Sequence, residues 1–139
     1  MPRASAGATD ARTALDLGHD VVMAPHRSTY LDYPQSHDPD EPPGQPGLVV
    51  TAHDVYHLPL PDGVLGAQCA LWTEYIPTAH HLERLAYPRL AALADTLWTR
   101  HPDWTDFTQR MHAHTGRLSA LSVPLNGKEH HAHSPVPPC

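Results

Sequence analysis

The chain has 139 residues, enough for one ordinary domain, and a formal net charge of −6 from 9 Lys+Arg against 15 Asp+Glu. That acidic balance excludes the basic surface of a nucleic-acid binder or of a protein held on anionic membranes, and no apolar run approaches the ~20 residues of a membrane span. Histidine (13) and proline (16) are both high, and two cysteines, Cys69 and Cys139, make no disulfide framework.

Residues 1–9 read as a disordered lead without the hydrophobic stretch of a signal peptide, so a cytoplasmic location is the default expectation. Asp10–Leu17 has the composition of a short helix, with Ala11, Ala14, Leu15 and Leu17 on its buried side, and Gly18 sits where such a helix stops. Asp20–Pro25 is a short apolar run closed by proline and reads as a buried strand. Pro34–Gly47, rich in proline, glycine and acids, is a loop. Thr51 is the N-cap of a short helix, with Asp54 at the capping-box position and Val55, Tyr56 and Leu58 on its apolar side.

Val64–Leu71, small and apolar, suits a strand buried on both faces, as in a parallel sheet. From Thr78, leucines and alanines at 82, 85, 86, 90, 93, 94 and 97 repeat at helical spacing, and Pro88 predicts a kink or a break into two helices. Asp103 caps a last amphipathic helix to about Leu121, with Trp104, Phe107, Met111, His114, Leu118 and Leu121 along one stripe. Residues 127–139 read as a disordered tail. The order is a β/α alternation with a parallel sheet, yet only two strands are evident. Two parallel strands cannot cover their own edges, so the pattern reads as a piece of a larger α/β domain.

One arrangement occurs after both strands. Tyr30 and Asp32, and again Trp72 and Glu74, are an aromatic and a carboxylate two residues apart, hence on one face of extended chain. The carboxyl ends of strands are where α/β folds place ligands. An aromatic beside an acid suits a sugar ring, with its apolar C–H face and its rim of hydroxyls. The plainer alternative makes Trp72 and Tyr30 core residues and Glu74 an acid favoured at a helix start.

Four segments in order, DVVMAPHRSTYLDYPQ (20–35), VYHLPLP (55–61), VLGAQCALWTEYI (64–76) and ERLAYPRLAALADTLWT (83–99), resemble the C-terminal part of family 20 glycoside hydrolases, the β-N-acetylhexosaminidases. The closing helix, FTQRMHAHTGRLSALSVPLN, is similar to the end of that catalytic domain. The resemblance spans residues 10–126. It implies a (β/α)8 barrel of which this chain holds about strands 7 and 8 with their helices. It also implies retaining, substrate-assisted hydrolysis of terminal N-acetylhexosamine, in which the substrate's own acetamido oxygen attacks the anomeric carbon. Tyr30 would donate to that oxygen. Asp32 would bind a rim hydroxyl, Trp72 would line the acetamide pocket, and Glu74 would accept from ring hydroxyls near C4. The implied ligands are N-acetylglucosamine- or N-acetylgalactosamine-containing glycans, with no cofactor, no metal, no nucleic acid and no membrane. The further partner would be the missing N-terminal part of the barrel.

The family's general acid Glu and its assisting Asp stand in a His-x-Gly-Gly-Asp-Glu context that does not occur here. Asp40-Glu41, in the proline-rich loop, is not given that role. The expectation is a C-terminal fragment, inactive alone; the alternative is a non-catalytic carbohydrate-binding or interaction module derived from the same barrel. His112/His114 and His130, His131 and His133 suggest a metal protein only weakly, because a metal site needs spaced ligands that converge.

Overall fold

The computed structural model describes residues 6–125. Its elements are α1 (Ala6–Asp16), β1 (Val22–Met23), α2 (His26–Thr29), α3 (Ala52–Tyr56), β2 (Gly66–Ala67), a 3-10 turn (Thr73–Tyr75), α4 (Ala79–Ala86), α5 (Arg89–Trp98) and α6 (Trp104–Ala120). The predicted tail, with His130, His131, His133 and Cys139, lies outside the described residues.

β1 and β2 pair in parallel, Val22 opposite Gly66 and Met23 opposite Ala67. The regular strands are shorter than the apolar runs predict, but the pairing is longer than the strands. Leu65 N–H donates to the Val21 carbonyl (2.8 Å), Gln68 to Met23 (2.9 Å), Ala70 to Thr29 (2.9 Å) and Leu31 to Ala70 (2.8 Å). Pro25 interrupts the ladder because it has no N–H to give. The single turn α2 follows, and the chain rejoins the sheet at Tyr30, which bridges to Ala70.

The expectation of buried strands is corrected for both runs. Leu65 on the second run, expected to be buried on both faces, is 69% exposed, and Val22 on the first is 54% exposed. Among the described residues the sheet has two strands only, so both of its edges are open.

The core lies on the helical side. Leu31, Val50, Val55 and Ala92 are fully buried, and Leu58, Leu93, Phe107, Met111 and Leu118 close around them. α3 begins in the expected capping box: Thr51 Oγ1 accepts from Asp54 N (3.1 Å) and Asp54 Oδ2 accepts from Thr51 N (2.9 Å). Such a cap contributes about 1 kcal/mol. Tyr56 from α3 meets Trp104 and Phe107 of α6 at ring-centroid distances of 5.1 and 5.0 Å. α6 starts at Asp103, whose carboxylate accepts from Asp106 N (2.7 Å).

Several boundaries and faces differ from the sequence reading. α1 begins at Ala6 rather than Asp10, and Leu17, expected inside, is exposed; Gly18 follows at φ 83°, the left-handed conformation that ends a helix. Pro88 does divide the long stretch into α4 and α5. The division also resets the helical phase, so Arg89, Ala92 and Leu93 face the core while Leu90 and Ala94 turn outward. Leu121, just past α6, is exposed as well. No helix among the described residues is long and apolar enough to cross a membrane. Burial pushes the Cys69 thiol up to about 11, which makes it a packing residue and not a nucleophile at neutral pH.

Candidate functional site

The site grows out of the interrupted ladder. α2 hangs from Pro25, whose carbonyl accepts from Thr29 N (3.0 Å) and Thr29 Oγ1 (3.1 Å). Leu31 is then fully buried in the core, where the chain turns, and its neighbours Tyr30 and Asp32 both line the cleft. On the second strand, Trp72 follows Ala70 and Leu71 in extended conformation before the 3-10 turn, and Ile76, 7% exposed, anchors the far end of that turn. Both segments leave the sheet at its carboxyl end.

The two aromatic–acid pairs therefore meet. The rings of Tyr30 and Trp72 lie 6.3 Å apart at 50°, and those of His26 and Tyr30 meet edge-on at 6.2 Å. Tyr30, Asp32, Trp72 and Glu74 line one cleft of about 220 Å³, together with Tyr33 and Gln45. That is below the ~300–1,000 Å³ of drug-sized sites and matches a smaller polar ligand. Trp72 is 55% exposed, so it is not a core residue; it offers an open apolar face at the mouth. Glu74 is exposed and lies in the first turn of the 3-10 segment. Asp32 is the reverse case. It is 2% exposed, and its Oδ1 is buried with no hydrogen-bond partner among the described residues. A carboxylate oxygen in that state has unused capacity for a donor brought by a ligand.

Tyr33 and Gln45 were not foreseen. Gln45 belongs to the loop 34–47, which folds back across Asp32: Gln45 N donates to the Asp32 carbonyl (2.7 Å). The approach is so close that a Cβ on Gly44 would come within 2.4 Å of that same carbonyl oxygen, so only glycine fits. Within the loop, Glu41 accepts from Gln35 N (3.2 Å) and Ser36 Oγ (3.0 Å), a bracing role remote from proton transfer. A larger groove of about 600 Å³ runs between α5 and α6, but its carboxylate and nearest guanidinium, Asp95 and Arg110, are already paired at 2.8 Å.

Comparison with known proteins identifies the frame around this cleft. The Glycosyl hydrolase family 20, catalytic domain, matches residues 4–101, which include all six lining residues. The chain belongs to glycosyl hydrolase family 20. It is 35% identical over 137 residues to a beta-hexosaminidase of Porphyromonas gingivalis, an alignment covering 90% of this chain and 17% of that protein. Among solved structures, an exo beta-N-acetylglucosaminidase from Vibrio harveyi in complex with N-acetylglucosamine is 30% identical, with a TM-score of 0.74 over 85% of this chain and 20% of the other. A mutant Streptomyces plicatus beta-hexosaminidase in complex with its product (GlcNAc) is 25% identical, with a TM-score of 0.77 over 96% of this chain and 29% of the other. The family 20 chain thus has the α/β fold of these enzymes over most of its length. It spans 11–17% of the length of the curated relatives it matches.

Proposed function

We propose that this family 20 chain carries the seventh and eighth strands of a β-N-acetylhexosaminidase barrel, and that its cleft is half of the subsite for a terminal N-acetylhexosamine. The observation that carries the reading is the convergence of Tyr30, Asp32, Trp72 and Glu74 from two separate strand ends on one cleft. In this reading Tyr30 is the one residue of the chemistry present. Its hydroxyl donates to the acetamido oxygen and holds that internal nucleophile near the anomeric carbon, which saves the entropy of finding the attack geometry. Trp72 packs on the acetamide and the sugar face, while Asp32 and Glu74 accept from hydroxyls, with charge-assisted bonds about twice as strong as neutral ones.

The groups that would protonate the leaving oxygen and orient the acetamide N–H, a Glu and an Asp, belong to a segment absent from these 139 residues. The open edges at Val22 and Leu65 favour neighbouring parallel strands as the partner that would supply it. Half a subsite that binds without bond cleavage is also what a carbohydrate-binding module would be, and the half-exposed Trp72 suits either.

The expected result for the purified, mass-verified 139-residue protein is no turnover of an aryl N-acetyl-β-glucosaminide above a protein-free blank. Robust hydrolysis would overturn the assignment of the acid chemistry to a segment outside this chain.

A further inference from the structure

Arg89 opens α5 and is fully buried, and it is not one of the six residues that line the cleft. A buried guanidinium is costly unless its donors are used. Here all five N–H groups donate to main-chain carbonyls. Nε and Nη2 reach Leu85 (3.0 and 2.6 Å), Nη1 reaches Tyr33 (2.8 Å) and Val50 (2.9 Å), and Nη2 also reaches Leu31 (2.5 Å). Leu31 and Tyr33 flank Asp32. Their carbonyls point towards Arg89, and the carbonyl between them is held from the other side by Gln45 N (2.7 Å). Three successive carbonyls are therefore held, while Oδ1 of the Asp32 carboxylate has no hydrogen-bond partner among the described residues. Gln35, also buried, ties the same segment to the α4–α5 elbow by donating to the Tyr87 carbonyl (3.2 Å).

We infer that Arg89 is a positioning residue of the cleft: it clamps Leu31 and Tyr33 so that Asp32 and Tyr30 are preorganised for a ligand it never touches. This rests on reading the cleft as a sugar subsite. Lysine cannot replace it, because an ammonium offers three donors at one point and not a planar fork reaching four carbonyls.

The test compares Arg89→Lys with Leu118→Ala, a core truncation on α6 away from the cleft, in the full chain. Two quantities are read: the affinity for N-acetylglucosamine from tryptophan fluorescence, and amide hydrogen exchange at Leu31, Gln45 and Val50. At a temperature where both variants are folded, R89K should bind about tenfold more weakly and exchange those three amides at least tenfold faster, while L118A matches the wild type in both. Equal affinity and equal exchange in R89K and L118A would overturn the clamp. Wild-type protein that ignores N-acetylglucosamine, with R89K alone loosening those amides, would overturn the subsite reading and uphold the clamp. Should R89K fail to fold, wild-type exchange in rising urea decides. Leu31 and Gln45 opening together with Ala92, whose N–H bonds Pro88 at the elbow, supports the clamp; their opening well before Ala92 overturns it.

Discussion

Asp32→Asn is expected to raise the melting temperature while removing most of the affinity for N-acetylglucosamine. The carboxylate is 2% exposed and its Oδ1 has no partner among the described residues, so the folded state buries an acceptor oxygen that no donor satisfies. Asparagine keeps the shape and discards the charge. Relief of about 1 kcal/mol corresponds to a rise of roughly 3–6 °C for a domain of this size. Binding moves the other way. A hydrogen bond from a sugar hydroxyl to a buried carboxylate contributes about 2–3 kcal/mol, so its loss weakens affinity by roughly 30- to 140-fold. Stability gained at the expense of binding marks a residue kept for its ligand. A differential scan and a titration of the same two proteins check both halves. If D32N melted lower and bound unchanged, Asp32 would be a structural residue.

Asp95→Ala should have the largest effect on stability. Asp95 on α5 joins three elements: it accepts from the Tyr56 hydroxyl of α3 (3.1 Å), from Thr99 Oγ1 (3.1 Å) and from Arg110 of α6 (2.8 and 3.0 Å). Arg110 is half exposed, so its ion pair alone is worth little. The cost comes chiefly from the Tyr56 hydroxyl, left buried without its acceptor, and from the broken network, about 2–4 kcal/mol together.

The same cluster sets the pH window. Hydrogen bonding from Arg110, opposed by burial and helped by Tyr56 and Thr99, holds the Asp95 carboxyl below its ordinary value. Its contribution is therefore present above about pH 4 and is lost as pH falls through the lowered value. Burial, then the bond to Asp95, pushes the Tyr56 hydroxyl up to about 12. That contribution is full below pH 10 and is lost as pH rises towards 12. Asp95→Asn should flatten the acid limb of a melting-temperature profile; an unchanged limb would remove Asp95 from its origin.

Much of the helical half was readable in the sequence, because its signals are local. Thr51 and Asp103 cap the helices that their side chains announce, and Pro88 splits one helical run into two. The faces after Pro88 were not readable: a periodic stripe assumes one continuous axis, and the elbow turned Leu90 outward and Arg89 inward. Burial of Val64–Leu71 failed for a related reason, since an apolar strand says that something covers it, not that this chain does. At the site, the x-acid spacing after each strand identified Tyr30, Asp32, Trp72 and Glu74, whose shared cleft follows from the parallel register of the sheet. Gln45 came from a loop whose return path across Asp32 depends on Gly44, a contact that no local pattern encodes. Arg89 was hidden because a lone arginine on a helix normally reads as surface.

The most direct measurement is a titration of the 139-residue chain with N-acetylglucosamine followed by tryptophan fluorescence, run beside Trp72→Phe. Of the three tryptophans only Trp72 lines the cleft. A half-subsite should give a saturable change with a half-point on the order of millimolar, absent in W72F. No change in the wild type, or the same change in W72F, would contradict a sugar subsite built on these two strand ends.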